Sequence, residues 1–224
     1  DVVGLAPGLG GDSSRTAVMR VAVNADSLST WFPVAAKRFA SLTNATLDLV
    51  LDDEAHTADR LRSGEVLAAV TADPSAVQGC HAHSLGSLTY LATASPDFIA
   101  RFFPNGLEPD PFSVAPMLRF DRRDDLQARW LREAVGLSAS PPVHWTPATQ
   151  GMLDMALAGL GWAMTPAQLA LPYLANGRLV ELLPGRRLAV PLYWQRSRLA
   201  AGLIDQLTAA VREGAKTGLQ TQAT

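Results

Sequence analysis

Short apolar runs pass into small polar or acidic residues, and helical spacing follows at once. This happens repeatedly along the chain. Val21-Ala22-Val23 runs into Asn24-Ala25-Asp26-Ser27, Leu47–Leu51 into Asp52-Asp53-Glu54, and Val66–Val70 into Thr71-Ala72-Asp73. Later, Met117–Phe120 runs into Asp121, and Val143-His144-Trp145 into Thr146-Pro147-Ala148-Thr149. The apolar runs have strand length. Leu28, Trp31/Phe32, Ala35, Phe39 and Leu42 lie on one helical face, and Asp26 or Ser27 is placed to cap that helix. Pro33 is tolerated only in a first turn, so the helix is expected to start between Ser27 and Ser29. Strands alternating with helices predict an α/β fold.

The alternation divides the chain. Residues 1–16 are rich in Gly, Pro, Asp and Ser and read as a linker. His56–Ser63 reads as a helix stopped by Gly64, and Cys80–Ala94 as strand with a break at Gly86. A second βα unit follows. It has helices at 96–103, at 124–135, after a Thr146 cap with Pro147 in first position, and at 166–171, with strands at 143–145, 162–164 and 179–182. Strand 188–194 and helix 199–213 close the chain. The simplest topology returns them to the first unit, giving two Rossmann-like lobes of short parallel strands with a cleft between them. Lobe I would be 17–88 plus 188–215 and lobe II 89–187, with 216–224 a flexible tail.

Bulk properties narrow the function. With 224 residues and 48% hydrophobic content, the chain can fill a real core. A net charge of −2 argues against nucleic-acid binding by this segment. The single Cys80 excludes an internal disulfide and fits a reducing, cytoplasmic setting. No apolar run reaches membrane-span length. The start, Asp1-Val2-Val3-Gly4, lacks a Met and a basic region, so it reads as the interior of a longer protein.

In open α/β sheets ligands sit at the carboxyl ends of strands, and five ends rich in Asp, Ser and Thr favour a cation or zwitterion. At Asn24-Ala25-Asp26-Ser27, helix N–H groups favour a carboxylate and Ser27 can add a donor; plain capping is the alternative. Asp52 and Asp53 can hold an ammonium or merely acidify a first helical turn. Asp121 and Asp124 can do the same in lobe II, or pair locally with Arg119, Arg122 and Arg123. Thr71 and Thr149 can donate to a ligand or bond their own backbone. His144 reads as a core residue, and His81 and His83 as exposed and too sparse for zinc. Gly159-Leu160-Gly161 follows a helix, the wrong order for a dinucleotide loop.

Several stretches carry a resemblance. Val23–Phe32, Asp52–Thr57 with Leu61–Val66, Phe120–Leu126, Ala156–Trp162 and Pro191–Trp194 together resemble the effector domain of LysR-type transcriptional regulators of the ArgP/LysG kind, in register over about residues 17–215. The resemblance implies a fold like a type II periplasmic binding protein, and a winged helix-turn-helix on the N-terminal side as the only DNA contact. It implies a homodimer or tetramer meeting through helix 27–42 and the strand near Cys80. The effector would be lysine or arginine, and the controlled gene an amino-acid exporter. Where that pattern has a Glu after Pro147-Ala148, this chain has Thr149-Gln150.

The reading is a ligand-sensing regulatory domain without cofactor, metal or membrane partner. The alternative is a solute-binding protein for a cationic or zwitterionic amino acid. No G-x-S-x-G, H-E-x-x-H, P-loop or paired Cys–His motif supports an enzyme.

Overall fold

A computed structural model describes residues 16–51, 57–198 and 202–220. Strands β1 (Val18–Val23), β2 (Thr46–Leu51) and β3 (Ala68–Thr71) are parallel, with β1 in the middle. Two longer strands, β4 (Cys80–Ala94) and β9 (Leu188–Ser197), pair antiparallel from Cys80–Ser197 to Tyr90–Leu188. β3 pairs with the far end of β9, whereas β7 (Ala163–Pro166) and β8 (Val180–Glu181) pair with the far end of β4. A second, two-stranded sheet holds β5 (Met117–Arg119) and β6 (Val143–Trp145) in parallel, and Met117 also bridges to Trp162. The molecule is therefore a two-lobe α/β fold whose lobes share β4 and β9. The expected all-parallel lobes need correcting, since β9 returns from lobe II and runs against β3 and β4. The ends of β1, β2 and β3 still open on one side, as the pattern of polar strand ends requires.

The first predicted helix is two helices, α1 (Ala25–Ser29) and α2 (Phe32–Leu42). Pro33 in the first turn of α2 lacks the N–H an uninterrupted helix would use there, so the chain breaks at Thr30. The cap is neither Asp26 nor Ser27. The Asn24 side chain accepts from the Ser27 N–H at 2.8 Å. Phe32, Ala35 and Phe39 of α2 are buried against α8 (Leu203–Gly218), which brings Leu207, Ala210, Val211 and Ala215. Gly214 permits the approach, since a Cβ there would lie 2.8 Å from the Ala35 Cβ.

The tail expected at 216–224 is structured as far as 220. α8 runs on to Gly218, and Gln220 exchanges backbone bonds of 2.9 and 3.0 Å with Ser87 of β4. The last four residues lie outside the described segments, as does His56 of the predicted second helix. The described helix there, α3, spans Thr57–Ser63.

In lobe II, α4 (Pro96–Phe102) precedes a loop that drives Phe112 between Phe103, Trp130 and Trp162. Helix α5 (Leu126–Trp130) continues into a wider turn over Leu131–Val135. Helix α6 spans Thr149–Leu157, and Thr146 does not cap it. The Thr146 N–H is drawn to the Arg119 carbonyl at 2.9 Å, extending the small sheet, and its hydroxyl turns to the Met155 sulfur. α6 ends as the glycines predict. Gly159 is left-handed, with its N–H on Ala156 and that of Leu160 on Met155. Helix α7 (Ala167–Ala175) completes the lobe. His144 is exposed, not core, because β6 pairs only with β5. His81 is exposed as expected, but His83 is half-buried. Trp31, Trp130, Trp162 and Trp194 are all fully buried.

Candidate functional site

A cavity of about 370 Å³ lies between the lobes. Lobe I contributes Asn24, Ala25 and Asp26, because β1 ends there and α1 turns its first residues toward lobe II. The shared strands contribute Tyr90, Val190 and Leu192. Lobe II contributes the loop after β5, with Phe120, Asp121 and Asp124, and the first residue of α6, Thr149. Met152, Leu153 and Met164 give part of the wall an apolar surface.

Asp26 lies at the junction. Thr149 donates its hydroxyl to one carboxylate oxygen at 2.6 Å, and Tyr90 donates to the other at 2.5 Å. Burial pushes the Asp26 carboxyl above the usual aspartate range. The two hydroxyl bonds pull it back, and nearby Asp124 pushes it further up. Burial beside this carboxylate holds the Tyr90 phenol well above its ordinary value.

Asp124 is the second carboxylate. It accepts from the Phe120 N–H at 2.9 Å, the Leu126 N–H at 3.2 Å and the Gln127 amide at 3.3 Å. Burial raises its carboxyl too, opposed by these bonds and by the Arg119 charge. Among the described residues neither Asp26 nor Asp124 has an ion-pair partner. Arg129 lines the cavity, but its Nε faces Glu133 at 3.6 Å.

The structure brings together Asn24, Ala25, Asp26, Asp121, Asp124 and Thr149 of the residues singled out in the sequence. Asp121 sits at the cavity edge and spends one oxygen on the N–H groups of Arg123 and Asp124. Two candidates turn away. The Ser27 hydroxyl is buried and accepts from the Trp31 indole at 3.0 Å, because Ser27 and Trp31 are one helical turn apart. Thr71 is buried in β3, and its hydroxyl accepts the Asp73 N–H at 3.2 Å, the local backbone bond that competes with ligand contact. Asp52 and Asp53 lie outside the described residues. Sequence reasoning missed Tyr90, Arg129 and the methionines. Tyr90 lies mid-strand rather than at a strand end, so only its place in the alternation of β4 marked it as an inward residue.

Two half-buried carboxylates that face one cavity, with no ion-pair contact among the described residues, favour a cation there. α6 adds the opposite character, since its N-terminus at Thr149 has no side-chain cap. A cavity with buried negative charge and one positive helix end suits a ligand that carries an ammonium and a carboxylate.

Comparison with known proteins identifies the family and the fold. The family described as LysR substrate binding domain matches residues 13–216. The chain is 38% identical over 201 residues to the HTH-type transcriptional regulator ArgP of Pseudomonas aeruginosa, covering 90% of this chain and 67% of that protein. It is 42% identical over 204 residues to the lysine export transcriptional regulatory protein LysG of Corynebacterium efficiens, covering 91% and 69%. Among solved structures, the C-terminal domains of a LysR family protein from Agrobacterium tumefaciens superpose with a TM-score of 0.89 at 47% identity, over 92% of this chain and all of that one. Full-length LysG from Corynebacterium glutamicum with bound effector Arg superposes with a TM-score of 0.79 at 37% identity, over 91% of this chain and 69% of that one. The chain belongs to the LysR family of transcriptional regulators, of which it forms the substrate-binding domain.

Proposed function

We propose that this domain senses a basic amino acid, lysine or arginine, in the cleft between its lobes and passes its occupancy to a transcriptional response. The observation that carries the reading is the pair Asp26 and Asp124, half-buried, facing one cavity and making no ion-pair contact among the described residues. The ammonium groups are assigned to this pair and the α-carboxylate to the N–H groups at the start of α6. That one relative is named for lysine export, and that another holds the effector Arg, supports the same ligand class. We divide the domain into lobe I, residues 17–88 and 188–215, and lobe II, residues 89–187. The chain spans about two thirds of its relatives' length. In the whole protein we assign DNA contact to a winged helix-turn-helix in the remaining third, assembly to a homodimer or tetramer, and action to the cytoplasm. No helix among the described residues is long and apolar enough to cross a membrane.

The test is calorimetric titration with L-lysine, L-arginine, L-histidine, L-glutamate and L-leucine. Micromolar binding confined to basic amino acids, and lost in both Asp26→Asn and Asp124→Asn, is the expected result. Equal binding of leucine, or binding that survives both substitutions, overturns the reading.

A further inference from the structure

Arg119 ends β5 opposite Trp145 of β6 and does not line the cavity. Its guanidinium donates to the backbone carbonyl of Asp124. The guanidinium carbon lies 5.2 Å from the centre of the Trp145 ring, which also receives Arg122 at 5.0 Å. The Arg119 Nε is buried without a hydrogen-bond partner among the described residues, so the indole face is the favourable surface this part of the cation meets. The Arg119 carbonyl accepts the Thr146 N–H, three residues before Thr149. One residue thus touches the two lobe II segments that carry Asp124 and Thr149.

We infer that Arg119, held against Trp145, is a positioning residue for Asp124: it fixes the loop that carries this carboxylate and keeps a positive charge beside it. The inference rests on the reading of Asp124 as a ligand for the effector's cation. Asp124 can serve that purpose only as an anion. Burial opposes ionisation, whereas the Phe120 and Leu126 N–H groups, the Gln127 amide and Arg119 favour it. Of the other charged groups on this side, Arg123 pairs with Asp121 and Arg129 with Glu133. Arg119 therefore supplies the full positive charge that acts on Asp124. Guanidinium is suited to the place, since it is planar, stacks on an indole and is weakly hydrated.

The test follows the Asp124 carboxyl carbon by NMR through a pH titration of the ligand-free protein, alongside L-arginine calorimetry at pH 7. In Arg119→Met the titration midpoint of Asp124 moves up and arginine affinity falls about tenfold. Arg119→Lys restores the midpoint and only part of the affinity. Trp145→Phe behaves like wild type, and Trp145→Leu weakens binding in the same sense as Arg119→Met. Should Arg119→Met fail to fold, the Lys and Trp145 variants carry the comparison. An unmoved midpoint in every Arg119 and Trp145 variant overturns the inference whether or not arginine binds. If wild type binds no basic amino acid, the effector reading falls, and the midpoint still decides whether Arg119 governs Asp124.

Discussion

Thr149 donates its hydroxyl to Asp26 across the cleft, from the first residue of a lobe II helix to the first turn of a lobe I helix, at 2.6 Å. A hydroxyl on one lobe and a carboxylate on the other thus bridge the cleft directly. Thr149→Val keeps the shape and removes the donor. The expected outcome is faster amide exchange in residues 25–29 and 149–152 of the ligand-free protein, with the rest of the sheet unchanged. Unaltered protection in both segments would show that other contacts hold the lobes.

Asp26 makes stability depend on pH in a definite direction. Its folded carboxyl sits above the ordinary value of 3.8, so the native state holds this proton more tightly than the unfolded chain. The contribution is complete below that ordinary value and is lost as pH rises through the folded one. At pH 7 ionising this half-buried carboxyl is a cost, so Asp26→Asn is expected to stabilise the domain by about 1 kcal/mol, or roughly 2–4 °C in Tm. The gain should vanish near pH 4, and binding of basic amino acids should be lost. Thermal unfolding at the two pH values, with and without L-arginine, checks each part.

Gly218 closes α8 against Trp31, and a Cβ there would lie 2.3 Å from the Trp31 Cβ. Its carbonyl accepts from Gln168 of α7. Gly218→Ala is expected to cost about 1–3 kcal/mol in urea unfolding, since the nearest atom is the Trp31 Cβ, which is fixed to the backbone and cannot swing aside. Gly177→Ala is the comparison, because it has the left-handed strain with nothing within 4 Å. A smaller loss at Gly218 than at Gly177 would refute the packing argument.

Gln195 is buried in β9 and binds three backbone groups of the loop after β3. Its carbonyl accepts the Val77 N–H at 3.0 Å, and its amide donates to the Asp73 and Ser75 carbonyls at 3.2 and 2.8 Å. Gln195→Leu strands all three and is expected to cost about 3 kcal/mol. Ala72 at the cavity wall precedes this loop, so arginine affinity should fall too. Urea unfolding and calorimetry on the same variant separate the two effects.

The recurring strand ends announced the architecture, because burying a short apolar run and then capping a helix leaves a mark on consecutive residues. Asp26, Asp124 and Thr149 were legible for that reason. Ser27 was misleading. Its neighbours mark it as a helix start, but its direction is set by Trp31 one turn away, and α1 began earlier than the pattern suggested. Tyr90 and Arg119 were not legible as site residues. Each acts through a partner distant in sequence or through a strand pairing, and no local pattern encodes a bond from Tyr90 to Asp26 across 64 positions. The order of 216–220 escaped for the same reason, since it depends on Ser87 having backbone groups to spare.

The two long strands that run through both lobes have a mechanical consequence. β4 and β9 are bonded to each other for most of their length, with one register irregularity between Ser84 and Gly86. Such a ribbon resists sliding and stretching, because either would break a whole ladder of bonds, but it flexes where the ladder is already interrupted. Gln220 is seated against that same place. Bending at that point, rather than sliding, is the deformation such a ribbon resists least. For any bend there, displacement grows with distance from it, so surfaces far from the cleft travel furthest.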